Sequence, residues 1–356
     1  METGDRDIMR ELADLVSSQL AFSDILFEPR AHVMIKMPRG WEVAPGILPL
    51  DEYDIEVLLD AIDPDWRNNI TKHAINRPLE MFDWRLRINA YLAFSGSKVM
   101  LSIRRVPINP PSLKNTGLPA GVRLLIESLR GIILVTGPTG SGKSTSMAAM
   151  VDAINETRHA HIITIEDPIE YIFTAKKSIF SQREVGVDVA TFYDGVRDSL
   201  RQRPDVILIG EIRDRETAET ALLAGESGHL VIGTMHANSA PGAVQKILSF
   251  FGAHERESKL QSLAGSLVGI LHQMLLPRAD GKGYALAAEL LANNKQQYSR
   301  ILGDPDKLQA MIDRKEDGIS RTMTDSLIDL VNTGQISKTD AIRSAPATLA
   351  MYDKLK

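Results

Sequence analysis

The string GIILVTGPTGSGKS at residues 131–144 constrains this chain more than any other segment. Its first six residues read as a buried strand, and the Gly-rich turn behind them leads into a helix-forming stretch. Residues 137–144 satisfy G-x-x-x-x-G-K-[ST] in the strand–turn–helix setting that gives this motif its meaning. Gly137, Gly140 and Gly142, with Pro138, Thr139 and Ser141 between them, let successive backbone N–H groups turn toward the α- and β-phosphates of a nucleotide. The helix that starts at Lys143, Ser144 and Thr145 adds its positive dipole end. Lys143 is expected to reach the β- and γ-phosphates, and the Ser144 hydroxyl to ligate Mg²⁺. No N-K-x-D element follows, so ATP is the expected nucleotide.

A phosphate loop needs a sheet around it, and the sequence supplies the strands. Short apolar segments at 161–166, 205–210 and 229–234 alternate with helical stretches, which predicts a parallel sheet covered on both faces. From about residue 255 the pattern predicts helix, with Leu260, Leu263, Leu267, Leu271 and Met274 along one face. A helix at 323–331 closed by Gly334, and a last one started by Ser337 and Asp340, complete that tail. Upstream, 8–20 and 51–62 have helical spacing, while 24–37 and 84–106 read as short strands turning at 38–40 and 95–97. The proline-rich residues 107–120 read as a linker. The expected organisation is an α+β domain over 1–106 and an α/β ATPase domain over 121–356, helical from about 255.

Charge and composition narrow the function classes. Residues 1–105 hold 17 acidic and 13 basic side chains, and the net charge of the whole chain is −5, so nucleic acid is not expected as its main ligand. There are no cysteines, which excludes thiolate zinc sites and iron–sulfur clusters. The start METGDRDIMRELADL lacks the apolar core of a signal peptide, and no stretch approaches the roughly 18 apolar residues of a membrane span. A cytoplasmic protein is expected, and any membrane association must come through partners.

A second constellation points to the kind of nucleotide enzyme. In LRQRPDVILIGEIRD, at 200–214, four apolar strand residues end in Gly210-Glu211, where a phosphate-loop enzyme places a carboxylate against the Mg²⁺ shell or its water. A strand merely ending in an exposed glutamate is the plainer alternative. In IITIEDPIEY, at 162–171, Glu166, Asp167 and Glu170 crowd into five residues, an arrangement hostile to a triphosphate unless metal, arginine or a water proton intervenes. GHLVIGTMHANSA, at 228–240, brackets a strand with His229 and His236, whose spacing argues against a shared metal.

Together these blocks resemble the signatures of the bacterial type II/IV secretion ATPases: a phosphate loop, an Asp box, a carboxylate strand and a His box, in that order. SDILFEPRAHVMIK (23–36) and WRLRINAYLAF (84–94) are similar to the N-terminal domain of that family. The resemblance implies a PAS-like first domain, a RecA-like ATPase domain and a homohexamer acting on inner-membrane platform or secretion-channel proteins. It assigns Glu170 to the attacking water, Glu211 to Mg²⁺ through a water, and Glu166 and Asp167 to the metal shell and its loop. It makes His236 a γ-phosphate sensor and His229 its neighbour, and casts Arg85, Arg87 and Arg104 as the cations that assist phosphoryl transfer. Within the family, PilT-like retraction ATPases carry an A-I-R-N-L-I-R-E-like helix where this chain reads ANNKQQYSRILGDPDKLQAMI (292–312). That departure favours the DotB/TraJ branch of type IVB secretion and conjugation, with pilus retraction as the alternative. A nucleic-acid translocase and a non-catalytic ATP-binding scaffold are the readings from other classes.

Overall fold

The computed structural model describes residues 6–293, 304–315 and 317–355. The chain forms two compact units, Met1–Asn109 with Pro277–Tyr284, and Pro110–Leu276 with Ala285–Lys356. Residues 277–284 fall within the expected ATPase domain, 121–356, and group with the first unit here.

The first unit contains α1 (Ile8–Ser17), β1 (Asp24–Phe27), β2 (Met34–Met37), β3 (Gly40–Val43), α2 (Glu52–Ile62), α3 (Trp66–Asn69), β4 (Ile75–Met81), β5 (Trp84–Ala93) and β6 (Lys98–Pro107). The strands form one antiparallel sheet in the order β3-β2-β1-β6-β5-β4. Ile8, Leu12, Leu15 and Val16 recur at helical spacing, so α1 presents one apolar stripe, and all four are buried. The Asp7 side chain accepts from Arg10 N–H and starts the helix, while α2 begins with a reciprocal capping box between Asp51 and Asp54. Opposed residues of an antiparallel pair share a face. Because Arg87 lies opposite Arg104, and Arg85 is two positions along, the register puts all three arginines on the same side of the sheet.

Arg105 points the other way, into the core. Its guanidinium lies 3.7 Å from the Phe22 ring centroid and 4.1 Å from that of Trp84. It donates to the carbonyls of Val16, Leu20 and Phe22 at 2.9, 2.7 and 3.0 Å. These carbonyls belong to the end of α1 and the segment behind it, where backbone acceptors have no helical donor left. Burial pulls Arg105 down to about 10, still far above neutrality, so it stays charged.

The second unit places α4 (Val122–Ile126), β7 (Gly131–Thr136), α5 (Lys143–Thr157), β8 (His161–Glu166), β9 (Ile179–Glu184), α6 (Phe192–Ser199), β10 (Val206–Ile209), α7 (Arg215–Glu226), β11 (Leu230–Met235), α8 (Ala240–Ser249) and α9 (Arg256–Ser266) around one sheet. That sheet is completed by β12 (Leu267–Pro277) and β13 (Tyr284–Ala292), whose ends pass into the first unit. Its order is β13-β12-β7-β11-β10-β8-β9, and the pairs from β12 to β9 are all parallel. Helices α10 (Pro305–Arg314), α11 (Met323–Asn332), α12 (Lys338–Ser344) and α13 (Thr348–Lys354) follow. Every residue of β7, β10 and β11 is buried, as a sheet covered on both faces requires.

The expected helix from about 255 is corrected here. It ends at Ser266, and Leu267, Leu271 and Met274 lie on β12 instead. A strand buried on both faces reads as a nearly continuous apolar run, which by spacing alone resembles a buried helix. Gly269 shows why a strand fits: a Cβ there would lie 2.7 Å from the Leu291 carbonyl and 2.8 Å from Leu125 Cδ1. Among the described residues no helix is long and apolar enough to cross a membrane.

Replacing Arg105 with leucine strands three carbonyls at the end of α1. The expected cost is about 2–4 kcal/mol in chemical denaturation of the first unit; a loss below half a kcal/mol would show that the guanidinium does not hold this turn.

Candidate active site

Four adjacent parallel strands end at one edge of the second unit's sheet, and a polar loop leaves each: 137–142 after β7, 167–171 after β8, Gly210-Glu211 after β10 and His236 after β11. This edge, outside the carboxyl ends of the strands, is where open α/β sheets hold ligands.

The phosphate loop is built before any ligand arrives. Gly137 has φ 147° and Gly142 φ 85°, conformations that L side chains rarely adopt. A Cβ on Gly137 would collide with the Gln273 carbonyl and the Ser141 hydroxyl. The crown at Pro138, Thr139 and Gly140 is exposed. The Lys143 ammonium folds back onto the loop, donating to the carbonyls of Gly137 and Pro138 at 2.9 Å each. Burial pushes its pKa down, while the charges of Glu211 and then Glu170 pull it up, so both carboxylates face this cation. Ser144 is the second residue of α5, and Thr145 beside it lies 2.9 Å from the Tyr171 hydroxyl.

Two residues of β12 support the loop from beneath, and the sequence reading missed both. The Gln273 side chain donates to the Ser141 carbonyl at 2.7 Å, and His272 Nδ1 lies 3.2 Å from the Thr136 hydroxyl. Both are buried. The available signal was a His-Gln pair inside the apolar run LVGILHQMLL.

Glu211 is fixed by its neighbours. Gly210 N–H donates to the Ile165 carbonyl at 2.8 Å, the Thr234 hydroxyl donates to the Gly210 carbonyl, and Ile212 N–H donates to the Thr234 carbonyl at 2.8 Å. The carboxylate then stands 3.5 Å from His236 Nε2 and 4.0 Å from Arg213 Nη1. The other ring nitrogen of His236 lies 3.2 Å from the Gly137 carbonyl, so this imidazole links the carboxylate to the phosphate loop. In the Asp box, Glu166 closes β8 and burial pushes its carboxyl up to about 7. One of its oxygens accepts the Glu170 N–H at 3.5 Å, and Asp167 is exposed.

The structure therefore brings Lys143, Glu170, Glu211 and His236 together. It does not bring His229 to them. His229 precedes β11, at the opposite end of a six-residue strand, where its Nδ1 lies 3.1 Å from the Ala224 carbonyl. At about 3.3 Å per residue, that is roughly 20 Å from His236. Arg85, Arg87 and Arg104 lie on the first unit's sheet, and Arg104 donates to Asp24 Oδ1 at 2.9 Å.

The residues present fit a magnesium–triphosphate. The loop is a cradle that a Cβ at Gly137 would fill, its lysine donates to two loop carbonyls, and the buried Ser141 hydroxyl has no partner among the described residues. Ser144 and Glu211 are the hard oxygen donors such an ion takes from a protein, leaving the phosphates to supply others.

The family described as type II/IV secretion system protein matches residues 92–314. The type IV pilus retraction ATPase PilT of Pseudomonas aeruginosa is 38% identical over 264 residues, which are 73% of this chain and 75% of that one. A crystal structure of the pilus retraction motor PilT with bound ADP superposes with a TM-score of 0.82 at 36% identity, covering 98% of this chain and 100% of that one. The ATPase DotB of Legionella pneumophila superposes with a TM-score of 0.83 at 26% identity, covering 94% and 93%.

Two buried groups near the loop titrate in opposite senses. Burial, then the Lys143 charge, pulls His272 down from 6.5 to about 4, so between those values the unfolded chain binds a proton that the native one refuses. Glu166 is raised from 4.5 to about 7, so between those values the native state binds the extra proton. Stability from His272 is lost as pH falls below 6.5, stability from Glu166 is lost as pH rises above 4.5, and the two cancel across the overlap. In nucleotide-free protein, Glu166→Gln should make the stability–pH slope between 4.5 and 6.5 more positive than the parent's, by about 1.4 kcal/mol per pH unit. His272→Asn should shift the slope the opposite way. Parallel stability–pH curves for both variants and the parent would refute this assignment.

Proposed function

The chain belongs to the type II/IV secretion system protein family and is an ATP-hydrolysing enzyme, and from that premise we propose that it works as a homohexameric motor of the pilus-retraction kind. The motor pulls on a filament through an inner-membrane platform protein at the cytoplasmic face. The observation that carries this choice is likeness over almost the whole chain to a retraction motor, at higher identity than to DotB. Residues 292–312 point toward secretion or conjugation on the absence of one motif, and 294–303 of them lie outside the described residues. The DotB-like branch remains the second reading, favoured by its equal structural likeness. The first unit, with helices α1 and α2 and a six-stranded antiparallel sheet, is read as PAS-like.

In this reading Lys143 leaves the carbonyls of Gly137 and Pro138 for the β- and γ-phosphates, and the loop N–H groups hold the rest of the chain of phosphates. Ser144, and Glu211 through a water, hold Mg²⁺, which when bound neutralises charge on the β- and γ-oxygens. Glu170 orients the attacking water and accepts its hydrogen bond as the water oxygen bonds to the γ-phosphorus and the bridge to the β-phosphate breaks. His236 touches both Glu211 and the loop, so loss of the γ-phosphate reaches it from two sides. Arg85, Arg87 and Arg104 bring the remaining positive charge, from the same or a neighbouring subunit. Asp167 orders the Asp-box turn, and His229 acts away from the nucleotide of its own subunit.

Steady-state ATPase with light scattering tests the motor reading. Turnover is expected from a species six times the 39.3 kDa of one chain. Lys143→Ala and Glu211→Gln should each lower kcat by about 100-fold or more. An active monomer indifferent to both substitutions would defeat the proposal. Restored filament retraction in a strain lacking its retraction ATPase separates the first reading from the second.

A further inference from the structure

Strand β13, YALAAELLA, carries one carboxylate into the interior. Glu289 is 4% exposed between buried Ala288 and Leu290. A glutamate there is costly unless its oxygens are occupied. One of them is held by a backbone donor from a helix distant in sequence, the Ala240 N–H, the first of α8, at 2.7 Å. The backbone N–H of Met323, the first of α11, is near enough to favour the charged form of the carboxylate.

Each helix start already has its own cap. Ser239 accepts from Gly242 N–H, and Thr322 accepts from Asp325 N–H. Those caps serve the third residue of each helix and leave the first N–H of α8 for Glu289. The positive dipole end of α8 thus meets this anion.

Only residues 236–239 separate β11 from α8. One end of this segment is held in the sheet, and the other is tied through Ala240 to Glu289. His236 sits at its start, 3.5 Å from Glu211 and 3.2 Å from the Gly137 carbonyl. The start of α11 lies near the same carboxylate, and its Met323, Leu327 and Leu330 pack with Ile336 and with Ala341 and Met351 of the C-terminal helices. We propose that Glu289 is a positioning residue for hydrolysis: it fixes the start of α8, and through it the place of His236 against Glu211 and the phosphate loop. The proposal rests on the ATPase reading of the site.

Glu289→Gln tests it, because the amide keeps the shape but loses the charge and one of the two acceptor oxygens at the start of α8. The expected result is a kcat about tenfold lower with KM for ATP within twofold and an unchanged unfolding midpoint. In a His236→Ala background the same substitution should add no further loss, since its effect passes through His236. In nucleotide-free protein it should also shift the ring ¹³C signal of His236, identified by its absence in His236→Ala, and leave that of His272 in place. If Glu289→Gln does not fold, Ala240→Pro removes the α8 donor at a position where helices accept proline, and the same results are expected. Unchanged kcat, a loss that multiplies with that of His236→Ala, or an unmoved His236 signal would overturn the proposal. Absence of turnover in the parent protein would instead strike the ATPase reading, and the ring signal would still decide the role of Glu289.

Discussion

The site depends on four strands reaching one edge of a sheet in register. That register is set at the far edge, where the backbone is tied across the strands. His161 carbonyl accepts from Asp205 N–H, Asp205 carbonyl from Leu230 N–H, and His229 carbonyl from Gly131 N–H. The Asp205 carboxylate adds a bond from His161 N–H at 2.8 Å. A slip of one residue in any strand would turn its apolar side chains the wrong way and withdraw its carboxyl-end loop from the others. Since β7, β10 and β11 are buried on both faces, the chemistry had nowhere to go but the strand ends. His229 belongs to the anchoring edge and His236 to the reactive one.

Charge at the reactive edge is held out of balance. Glu170 and Glu211 face Lys143, and Glu166 lies behind them with its carboxyl raised by burial. The lysine meanwhile spends its hydrogen bonds on the two carbonyls of its own loop. A phosphate chain can displace these with little rearrangement, because the glycine conformations that shape the cradle are already in place. His272 below stays neutral: a second cation beside Lys143 would be repelled and poorly solvated, so a neutral ring holds Thr136 in its place.

What the sequence revealed of this arrangement was local. Gly137 through Ser144 are legible because a turn that bends backbone N–H groups inward needs those residues at that spacing, and VILIGE because an apolar run breaks into a carboxylate. β12 was misread because a strand without a wet face has no alternation to display. His229 was set beside His236 on the family resemblance alone, and within one subunit a six-residue strand keeps the two apart. Gln273 and Glu289 were overlooked for a different reason. Their partners, Ser141 and Ala240, lie tens of residues or more away, and no spacing rule connects them.

These last two residues reveal a division within the sheet. Strands β7, β11, β10 and β8 end in groups that face a ligand, and β12 and β13 beside them carry buried polar side chains that face backbone. Gln273 holds the carbonyl of Ser141 in the phosphate loop, and Glu289 holds the N–H at the start of the helix after His236. Gln273 makes its bond through the amide N–H, and its side-chain oxygen is buried with no partner among the described residues. The geometry of the reactive edge is therefore constrained from the strand pair farthest from the carboxylates, which also extends into the other unit. A displacement of β12 or β13 cannot leave the phosphate loop and the His236 segment both unmoved, because each is bonded to one of them.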